Sequence, residues 1–313
     1  MLKQPTPTFF KTPWSCKKET QPQALSDIDL NNPGHCDKSA TEIAKMIRPA
    51  LKDHLKRTAY DMTGYIEAAI EADDSNYTFD SFATIQKYNG SNCIGLSLSL
   101  LTDIVFKFFG KTPPIYVIPS TLPEYFGLPK GAFGHAALLM VCRDGLILLE
   151  SGFHVQEPIV LHKKEAQTLL VGGDTLWRFY WDGGDSIKTT FVSEKYGEER
   201  FEYTLKHISN PDAAITQSSL LTGERQRLSF VIRNSEGKQI KYATINRTKQ
   251  QVEAFDLESQ ERLTLPFSEL NIEELSQTLS FLSDDVILRI KRILKSLLNE
   301  TTPSKNLPLS LSN

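Results

Sequence analysis

The chain has 313 residues, of which 40% are hydrophobic and 23% are charged, so it is long enough for a large core or two to three subdomains. Its formal net charge of −3 argues against nucleic acid as a main partner. No apolar run reaches the roughly 18 residues that a membrane helix needs, and the start lacks a signal-peptide pattern. We therefore expect a cytoplasmic protein without a membrane segment, with its cysteines as thiols.

Residues 1–38 carry several prolines among polar residues, which predicts an extended or disordered arm. Residues 39–112 are predicted to form a helical subdomain. Its first helix has Thr41 as a candidate N-cap, breaks at Pro49, and resumes to about residue 73.

A further helix is predicted to open at Cys93. The preceding residues, 89–92, are turn and N-cap formers, and an apolar run follows to about residue 109. In the first turn of a helix, unpaired N–H groups and the positive end of the dipole favour a thiolate. A nearby N–H group could also hold an oxyanion. This position therefore suits a nucleophilic cysteine.

The next elements are predicted to be strands. Residues 114–119 form one, and residues 133–153 form a hairpin around an Asp144-Gly145 turn, with His135 on the first strand and Glu150 at the end of the second. With that turn, His135 and Glu150 would lie about 13 Å apart along the strands. We therefore predict a bulge or a longer loop near residues 142–144 that changes the pairing.

Residues 113–265 are predicted to form an antiparallel β-sheet or barrel, with later strands at residues 176–181, 187–192, 200–206, 228–233 and 240–248. The aromatic cluster in residues 177–181 is interpreted as core. Residues 266–300 are predicted to form a C-terminal helical region, and residues 301–313 a tail. The fold class is therefore α+β.

Cys93, His135 and Glu150 together predict covalent catalysis. A cysteine at the start of an apolar helix is by itself most simply a small buried residue. An imidazole beside it promotes the thiolate, and a carboxylate orients the imidazole. His154 and His162 are interpreted as structural or exposed. The cysteines are too far apart in sequence for a zinc pattern, so no metal is expected.

The order and spacing of these three residues resemble the catalytic Cys, His and Asp of the arylamine N-acetyltransferases. Residues 135–141 are similar to the family's His-Leu-Leu-Leu-x-Val strand, and residues 150–153 to its Asp-x-Gly-Phe segment. Residues 217–220 resemble its Ser-rich acyl-donor segment. In total the resemblance spans about residues 41–298.

The resemblance implies an N-terminal helical subdomain with the nucleophile helix, a central antiparallel sheet or barrel, and a C-terminal helical or lid region around a papain- or transglutaminase-like core. It implies a monomer that transfers an acyl group by a ping-pong mechanism. The donor would be acetyl-CoA or another acyl-CoA, and the acceptor a small-molecule amine or hydroxyl. Gly131, Ala132 and Ser218 would help to bind the donor.

Two departures from the family pattern matter. Asn89-Gly90-Ser91-Asn92-Cys93 replaces the Arg-Gly-Gly-x-Cys motif, without its arginine, and Glu150 replaces the catalytic Asp. Glutamate can still accept the imidazole N–H. Two alternatives stay open: a transglutaminase-like or papain-like cysteine hydrolase or crosslinking enzyme, and a non-catalytic relative that binds a partner.

Overall fold

The computed structural model describes the chain between residues 25 and 294 with gaps. The described residues are 25–62, 64, 80–122, 132–153, 155–171, 175–193, 197–214, 227–233, 239–246, 249–256, 259, 261–269, 275, 279, 284, 287–292 and 294. The helix predicted to resume after Pro49 and run to about residue 73 is wrong beyond Arg57, because the first helix ends there and residues 59–60 form a strand. Other sequence predictions lie outside the described residues, namely most of the arm, residues 65–73, Gly131, His154, Ser218 and the tail.

Four helices and sixteen strands are defined within the described residues. The helices are α1 (Ala40–Arg57), α2 (Ser81–Tyr88), α3 (Cys93–Phe108) and the short α4 (Pro211–Ala214). The strands are β1 (Leu25–Asp27), β2 (Ala59–Tyr60), β3 (Gly90–Ser91), β4 (Ile115–Ser120), β5 (His135–Cys142), β6 (Gly145–Leu149), β7 (Ile159–Leu161), β8 (Ala166–Val171), β9 (Thr175–Tyr180), β10 (Ser186–Ser193), β11 (Gly197–Thr204), β12 (Lys206–Ile208), β13 (Arg227–Arg233), β14 (Gln239–Asn246), β15 (Gln251–Asp256) and β16 (Arg262–Pro266). Residues 287–292 are also helical.

The strands form one large and one small antiparallel sheet. The large sheet has eight strands among the described residues, in the order β7-β6-β5-β4-β11-β10-β9-β8. The small sheet has the order β13-β14-β15-β16. In addition β1 pairs with β12, and β2 pairs in parallel with β3. The predicted α+β fold with a central antiparallel sheet is confirmed.

The first helix starts and continues differently from the sequence prediction. Ser39, not Thr41, is the N-cap of α1: its Oγ accepts from the Glu42 N–H, and the Glu42 carboxylate accepts from the Ser39 N–H. The break predicted at Pro49 is wrong, because α1 runs through it. Pro49 is exposed, so water can hydrate the carbonyl that has lost its N–H partner.

A buried apolar stripe holds α1 against the rest of the core despite the proline. The stripe repeats at helical spacing, and its large members are Ile43, Ile47, Leu51 and Leu55, each 1% exposed or less. They belong to one core cluster with residues of α3 and β5. Burial of this face offsets the cost of one interrupted backbone bond.

The helix predicted to open at Cys93 is confirmed, and the residues before it set its start. Asn89 ends α2 in a left-handed conformation with φ 52°. Gly90 and Ser91 then pair with β2, and Asn92 caps α3. The cluster of turn and cap formers thus ends one helix, forms a short strand and starts the next helix.

The β5–β6 hairpin turns one residue earlier than predicted. Cys142 pairs with Gly145, so Arg143 and Asp144 form the turn, and the pairing continues without a register shift. The predicted Asp144-Gly145 turn and the predicted bulge are therefore wrong. The observed register nevertheless moves Glu150 towards His135, reducing their offset along the strands to about 7 Å.

Tertiary contacts explain the position of this turn. The Asp144 carboxylate accepts a 2.7 Å hydrogen bond from the Ala40 N–H at the start of α1. Gly145 lies in the strand, where an added Cβ would be 2.5 Å from the Leu161 carbonyl oxygen of β7. Both contacts favour the observed register over the local preference of Asp-Gly for the turn itself.

Both faces of β5 are covered, and all of its residues are buried. One set of alternate side chains packs against α1 and α3: Ala136, Leu138, Met140 and Cys142. The other set faces a core rich in aromatic side chains: Ala137, Leu139 and Val141. This double burial explains the continuous apolar run in the sequence. The aromatic residues Trp177, Phe179 and Trp181 are core, as predicted.

The C-terminal residues pack with the small sheet. Their buried apolar side chains share a cluster with Met62 and with strands β14 and β15, and the members from the C-terminal region are Leu275, Leu279, Ile287, Ile290 and Leu294. No helix among the described residues combines the length and apolar character that crossing a bilayer requires.

Replacing Ser39 with Ala should lower the free energy of unfolding by about 1 kcal/mol, because the cap of α1 and its reciprocal bond with Glu42 are lost. Urea titration followed by circular dichroism measures the change. Thr41→Ala is the matched control, since Thr41 is exposed, and its effect should stay within about 0.5 kcal/mol. Equal losses in the two variants would contradict the assignment of the cap.

Candidate active site

Cys93 is the first residue of α3, and its side chain has no exposed surface. The side-chain oxygen of Asn92 accepts hydrogen bonds from the N–H groups of Ile94 at 3.0 Å and Gly95 at 3.1 Å. Those two amides are thus engaged by the cap, and neither is the oxyanion donor expected near Cys93.

A serine pair docks α3 on the strand that carries His135. The Ser97 hydroxyl donates to the Ala136 carbonyl oxygen at 3.3 Å and lies 3.5 Å from the Ser151 hydroxyl. Ala136 follows His135, and Ser151 follows Glu150. One buried side chain of α3 therefore contacts residues next to both of the other candidate residues.

The structure brings His135 and Glu150 together. The His135 Nε2 atom lies 2.8 Å from the Glu150 Oε2 atom, and the two residues are 3% and 0% exposed. The Cys93 side chain lies beside the imidazole, since a Cβ built on Gly152 would touch both, and Cys93 contributes to the raised pKa of His135. Because the His135 Nε2 atom pairs with Glu150, Nδ1 is the ring nitrogen that can interact with the Cys93 thiol.

The turn after β6 fixes the Glu150 carboxylate. Glu150 follows the last residue of β6, and its Oε1 accepts from the N–H groups of Gly152 at 3.0 Å and Phe153 at 3.1 Å. The side chain thus folds back over its own turn, and Oε2 remains to face His135. These two backbone donors satisfy Oε1 of a side chain that has no exposed surface.

Tyr203 is a residue of this site that the sequence reasoning did not find. Its hydroxyl donates to the Glu150 Oε2 atom at 2.6 Å. Ser120 on β4 pairs with both His135 and Tyr203, so these side chains lie in one row across three strands. Only the order of the strands brings Tyr203 to the site, and no local pattern in the sequence indicates that order.

Burial and the nearby negative charge raise the pKa of Tyr203 well above its usual value of 10. Desolvation is the larger cause, and the Glu150 carboxylate adds to it. The hydroxyl therefore stays protonated and remains a donor to Glu150.

Aromatic rings cover the imidazole of His135. Its ring centroid lies 4.2 Å from that of Phe153, which in turn lies 5.0 Å from Trp177 and 5.5 Å from Phe201. These rings leave little space for water beside the histidine. Charges in such surroundings interact more strongly than they do in bulk solvent.

The surroundings of His135 act on its pKa in opposite directions. Burial alone lowers this pKa, but the Glu150 carboxylate and Cys93, by charge and by hydrogen bonding, raise it from 6.5 to about 10. His135 is consequently an imidazolium at neutral pH. It is placed to stabilise a thiolate and to donate a proton.

Gly152 allows the close approach of Cys93 and His135. A Cβ built on Gly152 would lie 2.7 Å from the Cys93 Cβ and 2.6 Å from the His135 Cε1. Both distances are shorter than carbon atoms tolerate, so any larger residue forces the pair apart. The glycine of the Glu-Ser-Gly-Phe segment is thus a steric requirement of the site.

The remaining predicted residues are placed as follows. Ala132, partly exposed, lies three residues before His135, whereas Gly131 and Ser218 lie outside the described residues. The His162 Nδ1 atom lies 2.9 Å from the Asp144 carbonyl oxygen at the hairpin turn, which is a structural contact. Across the residues that the structure describes, no cluster of three His, Cys, Asp or Glu side chains could hold a metal ion.

The chain shares its fold with one class of solved structures, the arylamine N-acetyltransferases. The enzyme from Mycobacterium abscessus aligns with a TM-score of 0.53 and 12% sequence identity, over 84% of this chain and 91% of that enzyme. The enzyme from Salmonella typhimurium gives 0.53 and 11%, over 82% and 92%. The predicted arylamine N-acetyltransferase-like fold is therefore confirmed.

A third structure of this class, the Mycobacterium marinum enzyme in complex with CoA, aligns with a TM-score of 0.50 and 13% identity, over 87% of this chain and 96% of that enzyme. No family model matches the sequence, and no curated protein matches it. At such low identity the likeness establishes the architecture of the chain.

Replacing Gly152 with Ala should slow the alkylation of Cys93 by iodoacetamide, because the added methyl group separates the thiol from His135. The unfolding free energy should fall by about 1–3 kcal/mol. Gly184→Ala, at an exposed site, is the control and should leave the alkylation rate unchanged. Wild-type reactivity in the Gly152 variant would refute the close approach.

Replacing Glu150 with Gln should lower the pKa of His135, because burial then acts without the opposing carboxylate. Histidine NMR titration measures this pKa, and exposed Glu165→Gln is the control.

In the wild type the pKa of His135 is higher in the folded state than in the unfolded state. The ion pair with Glu150 therefore stabilises the protein below pH 6.5, and this stabilisation is lost as pH rises through about 10. An imidazolium that persists to that pH in Glu150→Gln would contradict the assignment.

Proposed function

We propose that this protein is an acyltransferase that uses Cys93 as its nucleophile and a CoA thioester as its donor. One observation carries the proposal: the buried His135 pairs with the Glu150 carboxylate at 2.8 Å and lies beside the Cys93 side chain. The arylamine N-acetyltransferase fold supports the reaction class. The donor is acetyl-CoA or another acyl-CoA, and the acceptor is a small-molecule amine or hydroxyl.

The first half-reaction loads the enzyme. The Cys93 thiolate attacks the carbonyl carbon of the donor thioester and forms a tetrahedral oxyanion. The oxyanion collapses, the bond to the CoA sulfur breaks, and the His135 imidazolium gives its proton to the departing thiolate. The products are an acyl-Cys93 thioester and free CoA.

The second half-reaction transfers the acyl group. The amine or hydroxyl attacks the acyl-Cys93 carbonyl while the now neutral His135 removes its proton. The carbon–sulfur bond breaks, and Cys93 is regenerated as a thiolate beside the imidazolium. Glu150 orients the imidazole and stabilises its positive charge in both steps, and Tyr203 holds Glu150 in place.

Donor binding is proposed for the segments that flank the site. The M. marinum enzyme of the same fold has been solved with CoA. Ala132 is near His135 in sequence, and Gly131 and Ser218 are assigned with it as donor contacts. We further propose that the protein is cytoplasmic and monomeric. Its subdomain boundaries are proposed to be those predicted from the sequence.

A second candidate is a non-catalytic relative that binds a partner. The complete burial of Cys93 favours it, because a donor can reach the sulfur only if the residues that cover the site move. The two candidates differ in the reactivity of Cys93. A catalytic thiolate is trapped rapidly by acyl donors or alkylating agents, whereas a buried structural thiol is inert.

Intact-mass analysis after incubation with a panel of acyl-CoA thioesters tests the proposal. We expect the wild type to gain one acyl group and Cys93→Ala to gain none, while the control Cys142→Ala, which removes another buried thiol, still gains one. Rapid alkylation of Cys93 without any acyl adduct would favour a cysteine hydrolase or crosslinking enzyme. If Cys93 neither gains an acyl group nor alkylates rapidly, the proposed catalytic role is wrong.

A further inference from the structure

A buried ion pair lies beside the segment that leads into Cys93. An Arg289 Nη atom donates to the Asp61 Oδ2 atom at 2.7 Å, and the two side chains are 10% and 6% exposed. The Arg289 guanidinium carbon also lies 5.1 Å from the centre of the Tyr88 ring. The pair thus joins the C-terminal helix, residues 287–292, to the end of α2 and the strand β2.

Asp61 is coupled directly to the residues just before the nucleophile. Its N–H donates to the Ser91 carbonyl oxygen at 3.0 Å, which extends the parallel β2–β3 pairing. A Cβ on Gly90 would lie 2.8 Å from the Asp61 Cβ, so the backbone at Gly90 rests against that side chain. Cys93 follows two residues after Ser91. A shift of Asp61 therefore moves the start of α3.

The sequence has no arginine of its own at the start of this segment. Asn89 occupies the position of the first residue in the Arg-Gly-Gly-x-Cys pattern. It is exposed, adopts φ 52°, and ends α2 with its N–H bonded to the Ile85 carbonyl. That position is used here as a helix C-cap. A guanidinium lies beside this segment instead, that of Arg289, which contacts Asp61 and Tyr88.

We infer that Arg289 is a positioning residue for Cys93, which acts through Asp61 and Tyr88 on the segment that sets the start of α3. The inference rests on the proposed role of Cys93 as a nucleophile. It assigns the C-terminal helix to the support of the site, in addition to the residues of α3, β5 and the turn after β6 that carry Cys93, His135 and Glu150.

The chemistry of arginine suits this task. A planar guanidinium can lie over the Tyr88 ring and donate to Asp61 at the same time, which a lysine ammonium does not reproduce. Arg289 is itself held in place. Ile287 and Ile290, beside it on the helix, are buried in the cluster that contains Met62, the neighbour of Asp61.

The second-order rate constant for alkylation of Cys93 by iodoacetamide, measured as a function of pH, tests the inference. Peptide mass mapping confirms that Cys93 is the residue modified. Arg289→Lys keeps a charge for Asp61 and preserves folding. The double variant Asp61→Asn with Arg289→Met removes both charges and avoids a buried unpaired carboxylate. Arg292→Met, an exposed arginine of the same helix, is the matched control.

We expect alkylation at neutral pH to slow roughly tenfold or more in the double variant and by a smaller factor in Arg289→Lys, with the pH profile displaced towards alkaline pH. Arg292→Met should match the wild type. Folded Arg289→Lys and double variants with wild-type rates and profiles would overturn the inference, even where their stability had dropped. A wild-type Cys93 that neither alkylates rapidly at neutral pH nor forms an acyl adduct would instead overturn the proposed function.

Discussion

The Glu150 carboxylate joins parts of the chain that are distant in sequence. Its Oε1 accepts two backbone N–H groups of its own turn, and its Oε2 accepts from His135 on β5 and Tyr203 on β11. An ionised carboxylate without exposed surface is tolerated only when its lone pairs are satisfied. The pairing register of β5, β4 and β11 therefore has to place these donors beside Glu150. A different register would leave the buried carboxylate without its hydrogen bonds, so the site also favours this register.

Glu150 has one methylene group more than the aspartate in the arylamine N-acetyltransferase pattern, and this extra length fits the arrangement. After β6 ends at Leu149, the longer side chain reaches back over its turn and still extends Oε2 to His135. The offset of about 7 Å that the hairpin register leaves is thus closed by the side chain and the turn together. No bulge is required, and the strands stay regular up to the site.

Local features were predictable from the sequence, and long-range ones were not. The start of α3 could be predicted because the Asn92 cap acts on the next few residues, and the core strands because apolar runs are local. The turn at Arg143 and Asp144 could not, because a contact with Ala40 determines it. The break predicted at Pro49 was wrong for a similar reason, since burial of one face of α1 outweighs the loss of one backbone hydrogen bond. Tyr203 reaches Glu150, and Arg289 reaches Asp61, only through tertiary structure.

The separation of 228 residues between Asp61 and Arg289 also has a consequence for biosynthesis. A chain made from its N-terminus can form the β5–β6 hairpin and α3 long before the C-terminal helix leaves the ribosome. The Asp61–Arg289 contact can form only after residue 289 has left the ribosome. If Arg289 positions Cys93 as inferred, the thiol of the nascent protein therefore becomes fully reactive only once that late contact has formed.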